Sequence, residues 1–339
     1  MDKELLDDTL LDDELLPEGL FTSAVAQIRA KENKLLSNQD LESLIGCRNA
    51  NECILMLLDK GWGPTENNTP EEILTEEKEK CWALMRSLCT DKEMHFFDLF
   101  RFSKDYHNLK AAIKESYVQK EVPNIYINDG TIPVEKLRKC AADNDFSALS
   151  FPMMKAAHEA RDILFHTGDS QACDCIIDKA ALTEMYRLGK ESGNALLREY
   201  VELKCASADI NIAIRACKMH KDAEFLQRSL VVCDSMSVPR LIQAATSGPD
   251  AIYEYLNSTA YSDAVAEIQK SPVAFDKWCD DRLMKMLQPQ KYNAFTISPL
   301  AAYVLAKENE IKSVRIILSG KINDLPDEKI RERIRISYV

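Results

Sequence analysis

His158, Asp162 and His166 stand at i, i+4 and i+8, with Cys173 and Cys175 close behind. These are residue types that zinc takes as tetrahedral ligands. On a helix the first three share one face, but i and i+8 lie about 12 Å apart along the axis. One ion cannot take both histidines, so the spacing reads as an ordinary polar helix face. His158-Glu159 does not continue into HExxH. The chain has no GxxxxGKS/T loop, no GxGxxG and no GxSxG elbow, and Gly189-Lys190 alone does not make a phosphate loop. No residue is therefore assigned to catalysis, to a cofactor or to a metal.

Two other clusters carry possible binding chemistry. The aromatic run from Phe96 to Tyr106 resembles a base-stacking platform in composition. Its only interleaved cations are Arg101 and Lys104, which favours core packing over nucleic-acid contact. Arg331, Arg333 and Arg335 alternate with Glu332 and Ile334 near the C-terminus. They read as a helix end complementing its own dipole, with contact to an acidic partner as the alternative.

The elements that position these groups read as helices. Phe21, Ala24, Val25 and Ile28 make a helical stripe. Ser37 with Asp40, and Thr69 followed by Pro70 and Glu72, are helix starts. Further helices are expected at 51–60, from Phe96 through to about Glu121, from Val134, from Asp145, and at 153–165, 174–189 and 196–218. Others are expected from Val238, Ser271 and Ser298, with a last one from about Asp327 to Ile336. Asn128-Asp129-Gly130 reads as a loop. No segment alternates with a period of two over more than about four residues, so the expected fold class is all-α.

A short segment recurs along this chain of 339 residues. Asn108–Lys114, Asp209–Arg215 and Glu310–Ile316 are each 101 positions apart. Apolar positions upstream coincide as well: Leu99 with Tyr200, Phe100 with Val201, Phe102 with Leu203. The period exceeds that of the common solenoid repeats, roughly 20–50 residues, and matches a small domain of about 100 residues. The expected organisation is an acidic extension, 1–20, followed by helical units at 21–122, 123–221 and 222–339.

The net charge of −12 disfavours sequence-independent nucleic-acid binding, which needs phosphate neutralisation, and direct adsorption to anionic lipid. Residues 1–20 hold eight acids against Lys3 alone and read as a fraying acidic helix or a disordered appendage. Eleven scattered cysteines without a CxxC suit reduced, buried thiols. No apolar run approaches the ~18 residues of a spanning helix.

Several segments together resemble the C subunit of the A/V-type rotary ATPases, called the d subunit in eukaryotes. The opening helix matches through Phe21, Ala26, Arg29-Ala30-Lys31-Glu32 and Leu35-Leu36. Arg101 with Asp105-x-x-Asn108-Leu109 is similar to the family's Asp-x-x-Asn-Leu segment. Leu197-Arg198-Glu199-Tyr200 with Asp209-Ile210 is similar to its second copy, where Ala206 replaces the first acid. The tail from Tyr303, with Ala306-Lys307-Glu308-x-Glu310-Ile311, is the most specific match. The resemblance implies three related helical bundles in a pseudo-threefold funnel, without an active site. It implies a rotor subunit that couples the central stalk to a membrane ring translocating protons or sodium, peripheral on the cytoplasmic membrane face. A generic helical scaffold is the alternative.

Overall fold

The computed structural model describes residues 21–63 and 69–339. The acidic stretch 1–20 lies outside the described residues. Among the described residues seventeen α-helices follow in chain order: α1 Thr22–Glu32, α2 Asn38–Ile45, α3 Ala50–Asp59, α4 Pro70–Leu88, α5 Asp91–Phe97, α6 Phe102–Val118, α7 Val134–Asp143, α8 Phe151–Thr167, α9 Ser170–Glu191, α10 Ala195–Lys218, α11 Ala223–Ser229, α12 Val238–Ser247, α13 Pro249–Asn257, α14 Val265–Lys270, α15 Pro272–Leu287, α16 Ser298–Ile322 and α17 Asp327–Arg331. Among the described residues the only β feature is an isolated bridge between Cys233 and Met236. The fold is all-α.

Local chemistry explains most boundaries. Capping boxes close the N-termini of α2, through Ser37 and Asp40, and α4, through Thr69 and Glu72. Proline stands in the first turn of α4, α8, α12, α13, α15 and α16, where its missing N–H costs nothing. Gly168, at φ +70°, ends α8.

Three expectations differ. The aromatic run is not one helix: a 3-10 turn at Asp98–Phe100 separates α5 from α6, and Phe97, Leu99 and Phe100 are all buried. No helix starts at Asp145, because its Oδ1 accepts the Ser147 N–H at 3.0 Å in a local turn that competes with helix. The last helix stops at Arg331 rather than near Ile336, because residues beyond it are bound to distant helices.

The three copies of the recurring segment lie on α6, α10 and α16, each a long helix. α6 packs with α7, α8 and α9; α10 with α9, which it shares with α6, and with α12 and α15; α16 with α4, α3, α2 and α1. Two of the three apolar clusters follow this grouping and the third crosses it. One cluster runs from Tyr106 to Ala181. A second joins Leu36–Leu74 to Ile311–Ile330, from opposite ends of the chain. The third and largest centres on α10 and gathers residues from α1, α4, α15 and the start of α16.

Candidate functional site

The candidates read from sequence are scattered. His158 sets its ring edge-on to Phe146 at 5.1 Å, and His166 Nδ1 contacts the Asp162 carbonyl at 2.7 Å. Cys173 is buried on another helix, α9. Among the described residues no group of three or more His, Cys, Asp or Glu is placed to hold a metal ion. The aromatic run faces inward, with Phe100 edge-on to Tyr200 at 5.1 Å. Of the C-terminal arginines, Arg331 pairs with Glu42 at 2.8 Å, and Arg335 is buried against Asp280 at 2.8 Å.

The structure instead brings out a pair of positions repeated on α6, α10 and α16, three residues apart and one turn of helix long. They hold Asp105 and Asn108, Ala206 and Asp209, Lys307 and Glu310. All six are buried, and in every copy the second residue accepts a backbone N–H from outside its own helix. Positions on one helical stripe enter the core together. A polar side chain there must find a partner inside the protein.

On α6 the pair pins the loop between α6 and α7. Asn108 Oδ1 accepts the Ile127 N–H and its Nδ2 donates to the Ile127 carbonyl, both at 2.8 Å. Asp105 accepts Thr131 Oγ1–H at 2.7 Å and the Ile132 N–H at 3.0 Å. Burial nevertheless holds Asp105 above the usual carboxylate range, against those hydrogen bonds. Arg101 donates to the carbonyls of Asp129 and Gly130, and its guanidinium lies 5.5 Å from the Trp82 ring centre. A Cβ on Gly130 would stand 2.2 Å from Asp105 Oδ1, so only glycine lets the loop come this close.

On α16 the pair is ionic. Lys307 Nζ sits 2.7 Å from Glu77 on α4 and 2.7 Å from Glu310, and 4.3 Å from the Trp62 ring centre. Glu310 also accepts the Leu36 N–H between α1 and α2. Burial opposes the charge on Lys307, but Glu310 and Glu77 outweigh it and raise its proton affinity. Burial raises Glu310 against the pull of Lys307.

On α10, Ala206 leaves Asp209 alone. Its Oδ1 accepts the Val231 N–H at 3.0 Å.

The C-terminal tail then closes the chain on itself. The Ile336 N–H donates to Asp281 at 2.8 Å, the Ser337 N–H to Asn38 at 2.9 Å, and Tyr338 O–H to Glu32 at 3.1 Å. The long helices also meet directly: Lys104 and Glu308 form an ion pair at 3.6 Å, and Asn194, which caps α10, donates Nδ2–H to Ser298 Oγ at 2.9 Å. Sequence reasoning does not single out Glu77, Trp62 or Asp280. The available signal is the polar second member of each pair, Asn108, Asp209 and Glu310, set in an apolar stripe.

The fold and these three buried slots on α6, α10 and α16 define an all-helical protein with a recurring segment, whose buried polar groups tie the long helices to loops and to α4. The family model described as ATP synthase (C/AC39) subunit matches residues 24–333, and the chain belongs to that family. It is similar to the C subunit of the V-type sodium ATPase of Enterococcus hirae, 25% identical over 92% of this chain and 97% of the relative. It is also similar to the C subunit of the A-type ATP synthase of Methanocaldococcus jannaschii, 24% identical over 90% of this chain and 84% of the relative. The corresponding A-type ATP synthase protein of Desulfurococcus sp. (strain SY) is 22% identical over 91% of this chain and 88% of its own length. Among the described residues no helix is long and apolar enough to cross a membrane.

Proposed function

We propose that this chain is the non-catalytic coupling subunit of a V-type or A-type rotary ATPase. It stands between the central stalk and the membrane ring and turns with them. Its membrane contact runs through the ring, on the cytoplasmic face. The observation that carries this reading is the family match across residues 24–333, which takes in all three repeated helices. The packing supports it. A coupling body must carry load without deforming, and close-packed interiors have low compressibility.

We also infer that the body is a pseudo-threefold set of bundles, phased by packing. The phasing joins α6–α9, α10–α15, and α16 with α2–α4, in place of blocks split at 122 and 221. The third bundle is then completed from both chain ends.

The test is co-purification. The tagged chain is expressed with the other subunits of its ATPase, membranes are solubilised, and the eluate is probed for ring and stalk. Recovery of both supports coupling. A chain that elutes with neither overturns it in favour of a helical adaptor.

A further inference from the structure

The three copies of the buried slot meet one problem with three chemistries. Asn108 is neutral and makes two bonds to one residue, accepting from the Ile127 N–H and donating to the Ile127 carbonyl. Glu310 is an acid balanced by Lys307, one turn before it. Asp209 is as buried as Asn108, and its Oδ1 accepts the Val231 N–H in the same way. Yet the position of Lys307 is occupied by Ala206. Asp209 Oδ2 is buried without a hydrogen-bond partner among the described residues. An unpaired buried carboxylate is among the costliest arrangements in a protein, and the group avoids that cost by taking a proton. A protonated carboxyl has the bonding pattern of a side-chain amide, one acceptor and one donor.

We propose that Asp209 is a proton-binding site: in the folded chain its carboxyl holds a proton and donates Oδ2–H toward the Val231 carbonyl, reproducing with an acid the two-point clamp that Asn108 makes on Ile127. No second ligand is needed, because the proton takes the place that Lys307 fills on α16. Loss of the proton leaves one bond of the clamp and an uncompensated charge beneath the 230–236 segment. That segment joins α11 to α12, so the joint next to α10 responds to pH while its counterparts on α6 and α16 are held otherwise.

The surroundings agree. From α9, Lys179 faces Asp209, but its Nζ donates to the Gln227 carbonyl at 2.9 Å. From α10 itself the facing group is Cys205, and from the 230–236 segment it is Cys233. Burial pushes both thiols up, Cys233 to about 12, so they are neutral here. Glu202, further along α10, is held by Ser235, by the Asp234 N–H and by Tyr186. Burial raises Asp209 to about 7, offset in part by the Val231 N–H and by Lys179. An unfolded Asp titrates near ~3.9. Between those values the folded chain binds the extra proton, so stability falls as pH rises from about 4 to about 7 and is flat above.

The experiment compares the full chain with Asp209→Asn in thermal unfolding from pH 5 to 8.5. Hydrogen exchange of residues 230–236, corrected for intrinsic rates, is read alongside. The natural chain should lose Tm up to about pH 7 and then level off, and Asp209→Asn should lack that component. At pH 8 the variant should melt at least ~2 °C higher. Exchange at 230–236 should quicken between pH 5.5 and 8 in the natural chain only. Parallel pH profiles in the two proteins overturn the proposal. So does an insoluble Asp209→Asn chain, because Asn is the group that the α6 copy already uses.

Discussion

The groups around α6 and α16 use one architectural idea with opposite means. Around α6 the chain is continuous: α6 to α9 follow one another, and their core is built from Tyr106 to Ala181. The slot there is satisfied by hydrogen bonds to the loop that immediately follows. Around α16 the packed neighbours come from both ends of the chain, with Leu36 bonded to Glu310 across 274 positions. That slot is held by a buried ion cluster, Glu77–Lys307–Glu310. The difference teaches where charge belongs in such a repeat. Neighbouring segments meet anyway and need only polar satisfaction. Distant segments are brought to one register by a charged pairing, which is specific because its failure is costly.

Substitutions that remove one partner test this contrast, and the largest effect is expected at Lys307. Lys307→Ala leaves Glu310 buried with only the Leu36 N–H and Glu77 with only Lys80, and should cost about 3–5 kcal/mol, read by urea unfolding of the full chain. Asp105→Ala, the matching change on α6, orphans the Ile132 N–H and Thr131 O–H and should cost about 1–3 kcal/mol. Equal costs would break the comparison. Gly130→Ala should fall in the range of Asp105→Ala, about 1–3 kcal/mol, because its Cβ would meet Asp105 Oδ1. Its melting point relative to the natural chain is the readout.

Acid sharpens the contrast further. Burial favours the neutral form of Asp280, but Lys312, Arg335 and Lys204 outweigh it and hold Asp280 below the usual range. Its contribution is therefore present above the unfolded value of ~3.9 and is lost as pH falls through the lower folded value. Asp105 is raised instead, so acidification relieves it. Amides of residues 333–338 should lose hydrogen-exchange protection in acid before those of 125–132. The reverse order would refute the assignment of the tail to an ionic joint. Smaller still, Arg331→Ala removes only an exposed pair with Glu42 and should leave the melting point unchanged, whereas Arg335→Ala should lower it. Deleting residues 1–20 should have the least effect, with the shortened chain soluble and its melting point within ~2 °C of the full chain. Loss of soluble protein would show that the acidic stretch belongs to the folded body.

Much of this is legible in the residues themselves. The capping boxes at Ser37 and Thr69, the prolines of first turns and the apolar stripes are signals contained within about one helical turn. The 101-residue recurrence places α6, α10 and α16, and the tail from Tyr303 carries the family. Local signals mislead where a few residues serve a distant contact. The Arg-rich tail reads as helix to Ile336, yet it leaves the helix at Arg331 to reach Asp280 and Asp281.

Which helices form, and that they recur, is written in the amino-acid sequence, because helix propensity and capping depend on neighbours within about four residues. What each buried polar residue meets is decided only by the tertiary structure. Asn108, Asp209 and Glu310 look like one degenerate position in sequence. In the fold they meet a following loop, a second loop with no balancing charge, and the opposite end of the chain. The partner of a buried group is set by the path of the chain through space, and burial makes that choice matter by removing water as the alternative.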